Sequence, residues 1–413
     1  MNKWIFAFFL VYGSVYGQEN KYTDYLKNNK AVLDLTSTNR WELLKTDAEQ
    51  NQFIILGESH GAQDAQLIDF SLLKYLNKTV GTKNYIAELD YAQSSSINEY
   101  LRTGNETVLK RVFRNWVKKN AQWGNSDFYN KIVKIRGLNK TLPKAQQITF
   151  SGIDKVQDFD LYFKLIDKLM GDKKNPILDS LRQIVRSDFI NSEIVNISVF
   201  AKTYVGKIEK NKIEFEQIFG KKLPIFEYLI QNLSYSSTEK SGVNRPEAMF
   251  RNYKQLYSIL HFADEKLYGM WGFFHSHQVP VQFYGDDFAS KLVNSAHTSA
   301  KKVISIVCLP IDSKYNEWDS KSQTWKKKSF SYDDKSLLQV DGIEDLKDLT
   351  TTNSTTLFKI NGLNSPFSKT GRLFNGTSSQ GKLTGDFKLR DYAYQYVILM
   401  RNSDWLNPLP KAF

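Results

Sequence analysis

Apolar residues along the chain gather into short, strand-length runs separated by polar or helical sequence. "QFIILGE", "KNYIAELD", "QQITFSGID", "LYGMWGFFHSH", "KKVISIVCLPI" and "YAYQYVILMRN" are such runs, each bounded by polar residues or glycine. Runs apolar at every position, without alternation, mark strands buried on both faces of a sheet. Between the first two, "AQDAQLIDFSLLKYLNK" places Leu67, Ile68, Leu72, Leu73, Tyr75 and Leu76 near helical period. The repeated unit is therefore strand–helix–strand, which predicts an α/β fold with a largely parallel central sheet flanked by helices.

From about Val156 to Ala263 the texture changes. "LYFKLIDKLM", "NPILDSLRQIV", "IEFEQIF" and "EAMFRNYKQLYSILHF" all read as helix, and no convincing strand interrupts them. We expect one domain over residues 18–413, with 156–265 as an all-helical insertion that caps the carboxyl ends of the strands. The stretch from Asp312 to Gly385 is polar and predicts long loops with a hairpin. "KYTDYLKNNKAVLDLTSTNRWELLKT", ahead of the first strand, reads as mostly helical.

The amino terminus has the layout of a signal peptide, 1–17: Lys3, an apolar run from Trp4 to Tyr12, then small residues ending near "SVYG". Cleavage after Gly17 leaves Gln18 first and predicts an exported protein, periplasmic or secreted. No later segment approaches the length of a membrane span, so no transmembrane segment is expected in the mature chain. Cys308 is the single cysteine, in an apolar run, and reads as buried filler with no disulfide. The net charge of +12 is spread without a stripe of interleaved aromatics. That pattern does not point to nucleic acid; it fits a basic surface in peripheral contact with an anionic envelope.

Candidate chemistry sits at strand ends, where sheets of this kind carry their functional residues. Gly57–Gly61 fits the G-x-S-x-G nucleophile elbow around Ser59, but only about forty mature residues precede it and no HGGG-type oxyanion segment is present. An acid–base reading accounts for more residues. Glu58 and His60 end the first run, Glu88 ends the second, and His275 and His277 end the fourth. A carboxylate such as Glu88 in an apolar strand needs a basic partner or a proton. Strand residues at i and i+2 share a face, which would set His275 and His277 within about 7 Å if the segment stays extended. Arg245 precedes Pro246 at a predicted helix start, where it would favour an anion.

In order and spacing these motifs resemble the erythromycin esterase family, within the wider superfamily of haem-uptake and Tiki-type proteins. "ILGESHG", "FSLLKYLNKTVGTKNYIAELD", "INEYLRTG", "ITFSGID", "NRPEAMFRNYKQLY" and "MWGFFHSHQ" carry the resemblance over roughly Gln52 to Pro280. It implies Glu58, His60, Glu88, Arg245 and His275 as catalytic residues, with His277 and Asn252 binding substrate. It further implies a hydrolase of small-molecule ester or acyl substrates that needs no cofactor. Three positions depart from the family pattern. One residue rather than two separates Glu58 from His60, the second pair is His-Ser-His, and an arginine of the following helix falls near Asp69 here. The last departure argues against a macrolide substrate. Two alternatives remain open: a Tiki-like metallohydrolase with a divalent metal on Glu58, His60, Glu88, His275 and His277, and a haem- or iron-binding envelope protein.

Overall fold

The computed structural model describes residues 21–35, 41–187, 194–236, 243–282, 285–297 and 302–413. The expected signal peptide lies outside the described residues. The first six strands are β1 (Lys30–Val32), β2 (Phe53–Glu58), β3 (Asn84–Ala87), β4 (Thr149–Gly152), β5 (Leu267–Gly272) and β6 (Val303–Ile311). Then come β7 (Ser313–Asp319) and β8 (Thr324–Phe330), which pair as a hairpin. They are followed by β9 (Gln339–Val340), β10 (Thr355–Lys359), β11 (Gly376–Ser378), β12 (Gly381–Leu383) and β13 (Tyr396–Arg401). Eight of these form one sheet in the order β1-β10-β13-β6-β2-β5-β3-β4. From β13 to β4 every neighbouring pair is parallel, and β10 and β1 extend that sheet antiparallel.

The apolar runs explain the interior strands. Every residue of β2, β3, β5 and β6 is buried, because helices cover both faces of a parallel sheet. A fully buried Leu or Ile side chain contributes about 1.5–3 kcal/mol relative to exposure, so these strands anchor the core. Packed on the sheet are α1 (Asp64–Val80), α2 (Tyr91–Thr103), α3 (Glu106–Lys118), α4 (Ser126–Thr141) and the helices that follow, in one continuous hydrophobic cluster. A second cluster joins the far sides of β6, β10 and β13 to Phe273, Tyr332, Phe374 and Tyr394.

Between β4 and β5 every described element is helical: α5 (Phe159–Met170), α6 (Asp179–Arg186), α7 (Ile194–Lys210), α8 (Lys212–Phe219), α9 (Leu223–Ser234) and α10 (Arg245–Ile259), with short 3₁₀ turns between them. After this excursion β5 returns into the slot between β2 and β3, and α11 (Phe288–Asn294) precedes β6. The chain thus changes direction across the sheet beside β2, the position where open α/β sheets form their ligand crevice.

One expectation needs correction. The polar region is not only loops and a hairpin, because "TTLFK" forms β10 and pairs with β1 and β13. The segment ahead of β2 is mostly helical among its described residues, as read, but Lys30–Val32 within it supplies the sheet edge. Backbone pairing, not an apolar run, recruits both strands.

Candidate active site

Four adjacent strand ends supply the site. Glu58 closes β2 and His60 follows two residues later; Glu88 follows β3, Asp154 follows β4, and His275 follows β5. Their close approach needs small residues at the rim. A Cβ on Gly57 would collide with Ser276, and one on Gly152 with the Asp90 carbonyl. Asp90 caps α2 through a reciprocal bond with Gln93, and its second oxygen accepts from the backbone amides of Gln157 and Asp158 at 2.8 and 2.9 Å. A cap of this kind is worth about 1 kcal/mol, and here it also ties the turn after β3 to the loop after β4.

The first functional pair is Glu58 and His60. Glu58 is 1% exposed, and its Oε1 lies 2.5 Å from His60 Nδ1. A buried carboxylate at that distance accepts a hydrogen bond from Nδ1–H, which keeps the proton on Nδ1 and leaves Nε2 with the free lone pair. The imidazole is 39% exposed, and Trp123 meets it edge-on at 4.8 Å between ring centroids. Burial works against a charge on His60, but the Glu58 carboxylate, helped by Glu88, outweighs it and raises the pKa above the ordinary 6.5. Gly272 borders the same ring: a Cβ there would meet His60 Cε1 and Nε2 at 3.2 Å and Glu88 Oε2 at 3.5 Å.

Arg245 is the hub of the second group. It is the first residue of α10, which Asn244 caps. Its Nη2 donates to Glu88 Oε1 at 2.5 Å and to Asp154 Oδ2 at 2.6 Å, and its Nε donates to Asp154 Oδ1 at 3.0 Å. Its Nη1 lies 3.0 Å from His275 Nε2. Glu88 Oε1 is also 3.4 Å from His275 Nε2, while its Oε2 accepts the Gly272 amide at 2.7 Å. Burial alone would raise the Glu88 carboxyl, yet the bond and charge of His275, then Arg245 and His60, hold it well below the usual carboxylate range. Burial opposes charge on His275 too, but Asp287 and Glu88 together push its pKa up to about 10. The Asp287 contact, Oδ1 to Nδ1, is 2.6 Å.

The structure thus brings Glu58, His60, Glu88, Arg245 and His275 to one rim. His277 and Asn252 lie elsewhere. Phe273–Ser276 is a 3₁₀ turn rather than extended chain, so His275 and His277 do not share a face. His277 enters the second hydrophobic cluster, 4.4 Å from the Phe273 ring and 4.8 Å from Phe374, and burial lowers its pKa to about 3. Asn252 is buried beneath the loop after β4, donating to Ile153 O at 2.9 Å and Asn232 Oδ1 at 2.8 Å. Ser59 is no elbow nucleophile. Its backbone is not in the left-handed region, and its hydroxyl pairs with the Tyr332 hydroxyl at 2.6 Å.

Two residues escaped the sequence reading. Asp154 carried a usable signal, because "ITFSGID" ends in an acid just as "YIAELD" does. Asp287 carried none. Arg245 occupies the centre of the carboxylates, where a cation would otherwise be needed. Among the described residues no group of three or more His, Cys, Asp or Glu side chains is arranged to hold a metal ion, and His277 of the alternative five-ligand set lies apart from the other four, in the second hydrophobic cluster.

No family model matches the chain, and no curated protein matches it. Solved structures do. A Bacillus cereus protein superposes with a TM-score of 0.71 at 15% identity, over 95% of this chain and 99% of the other. A succinoglycan biosynthesis protein gives 0.67 at 14% identity, over 95% and 99%. The erythromycin esterase EreC, as a histidine-to-asparagine mutant in its open conformation, gives 0.61 at 14% identity, over 90% and 97%. At such identities the likeness is one of fold, and the fold is that of erythromycin esterase.

Proposed function

We propose that this protein is an exported, metal-independent hydrolase of ester or related acyl bonds. The observation that carries the reading is the Glu58–His60 pair at the sheet rim, its imidazole partly exposed and bordering, at Gly272, the Glu88 carboxylate that Arg245 holds. His60 Nε2 takes a proton from water, and the oxygen attacks the acyl carbon. Glu58 steadies the imidazolium that results. Charge develops on the carbonyl oxygen, where Arg245 Nη1 and the His275 imidazole supply positive potential without reorganisation. As the acyl–oxygen bond breaks, the leaving alkoxide recovers the proton from His60. Base assistance of this kind is worth about 10²–10⁴ in rate.

The substrate we propose is not a macrolide. Asp69 on α1 is tied inside the core to Lys131, to Tyr85 at 2.8 Å and to Tyr268 at 2.7 Å, so this position of α1 offers the cleft no cation. The neighbour from succinoglycan biosynthesis adds acylated saccharides to the candidates. The test is hydrolysis of alkyl esters, saccharide esters, lactones and a macrolide by wild type and His60→Ala, with and without a chelator. We expect turnover that survives chelation and falls at least about a hundredfold in the variant. Undiminished turnover by His60→Ala overturns the reading.

A further inference from the structure

A late stretch of the chain, residues 404–409, stitches together two turns that are far apart in sequence. One is the turn that carries His60, where the Gln63 amide donates to Asp404 O and the Leu406 amide to Gly61 O, both at 2.8 Å. The other is the turn between α3 and α4, where the Leu409 amide donates to Gly124 O at 2.9 Å and the Ser126 amide to Asn407 O at 2.8 Å. Asp127 repeats the link through its side chain, accepting from Gln63 Nε2 and from the Asn407 amide, both at 2.8 Å. Within the second turn Gln122 Nε2 donates to Asn316 O at 2.5 Å, and the buried Asn125 caps α4. Trp123 stands between these two anchors. Its indole is partly exposed, packs on Phe128 at 5.8 Å between centroids and meets the His60 ring at 4.8 Å. Main-chain bonds thus fix an aromatic surface beside the exposed imidazole.

The proposed chemistry says which part of a substrate that surface meets. His60 returns its proton to the leaving alkoxide, whereas Arg245 and His275 stand where the carbonyl oxygen lies. A group bordering His60 is therefore on the alcohol side of the ester. The neighbouring rim, with Glu58, Glu88, Asp154 and Arg245, is charged and rich in hydrogen-bonding groups. An alkyl alcohol could use only the indole. A pyranoside uses both, because its ring has an apolar C–H face and a periphery of hydroxyls. We propose that Trp123 is a specificity-determining residue, the platform on which the sugar ring of an acylated saccharide stacks while His60 acts at its ester oxygen. The proposal deepens the hydrolase reading above and rests on it for its catalytic meaning; the stacking contact can be tested without turnover.

Two acetate esters with different alcohols, acetylated methyl glucoside and ethyl acetate, are assayed on wild type, Trp123→Ala and Trp123→Phe. The ratio of the two kcat/KM values cancels any loss of folded protein. In Trp123→Ala the ratio of glucoside ester to ethyl ester should fall about ten- to thirtyfold, mostly through KM on the glucoside. Trp123→Phe, which keeps an aromatic face, should retain most of the wild-type ratio. An unchanged ratio in Trp123→Ala overturns the proposal, since an indole that only steadies the His60 ring would slow both esters alike. Binding is read apart from turnover by saturation-transfer NMR, with acetylated methyl glucoside titrated into His60→Ala and into His60→Ala/Trp123→Ala. Binding to the first that weakens at least about tenfold in the second supports the platform; equal binding, or binding to neither, overturns it. If wild type turns over neither ester while the NMR difference is present, the hydrolase reading fails and the saccharide platform stands.

Discussion

His277→Leu should stabilise the protein most strongly in acid and leave hydrolysis intact. The imidazole is 1% exposed among Phe273, Phe274, Phe374 and Tyr394, and neither ring nitrogen has a hydrogen-bond partner among the described residues. Burial lowers its pKa from the ordinary 6.5 to about 3. Between those values the unfolded chain binds a proton that the folded protein refuses. Its contribution is therefore harmless above pH 6.5 and grows unfavourable as pH falls toward 3. The slope is about 1.4 kcal/mol per pH unit, so wild type loses about 2 kcal/mol between pH 8 and pH 5 from this group. Leucine removes that loss and an unsatisfied buried polar group costing about 1–3 kcal/mol, while giving up ring contacts worth about 0.5–1.5 kcal/mol. The variant should lie within about 1–2 kcal/mol of wild type at pH 8 and gain about 2 kcal/mol more at pH 5. Urea unfolding of both proteins at the two pH values, followed by tryptophan fluorescence, measures the difference. Identical pH dependence would refute the reasoning, because it would mean that His277 titrates normally.

Glu58→Gln removes the carboxylate that raises the His60 pKa. The wild-type pH–rate profile should climb through a midpoint above 6.5, where the base becomes neutral, and the variant should move that limb toward acid while its plateau drops about tenfold or more. Gly272→Ala inserts a methyl group 3.2 Å from the His60 ring; kcat should fall by about one to two orders of magnitude, with melting temperature as the check that the loss is not one of folding. Mass spectrometry of exported protein should find Gln18 at the amino terminus, and an intact Met1 would contradict the proposed signal peptide.

The parallel core and the helical excursion were legible because each leaves a periodic trace. Apolar runs write β2, β3, β5 and β6, and 3.6-residue spacing writes α1 and α10. Charged residues at the ends of apolar runs stand out against that background, which is why Glu58, His60, Glu88 and His275 could be picked out one by one. β10 could not, because "TTLFK" earns its place by pairing with β1 and β13, and its threonines look like loop sequence in isolation. His277 misled for a related reason. The i, i+2 rule assumes extended chain, and a 3₁₀ turn cancels it within two residues.

The larger gap is electrostatic. The residues that set protonation at this rim reach it from distant sequence: Arg245 meets Asp154 across 91 positions and Glu88 across 157, and Asp287 arrives from a loop after β5 with no motif around it. A strand end can announce that a histidine or carboxylate is at the rim, since that depends only on local pattern. Which groups close on it is a property of the assembled fold. His60, with Glu58 as its close acid, and His275, set between Asp287, Glu88 and Arg245, are nearly indistinguishable in sequence. Only the partners that the fold brings to each ring tell them apart.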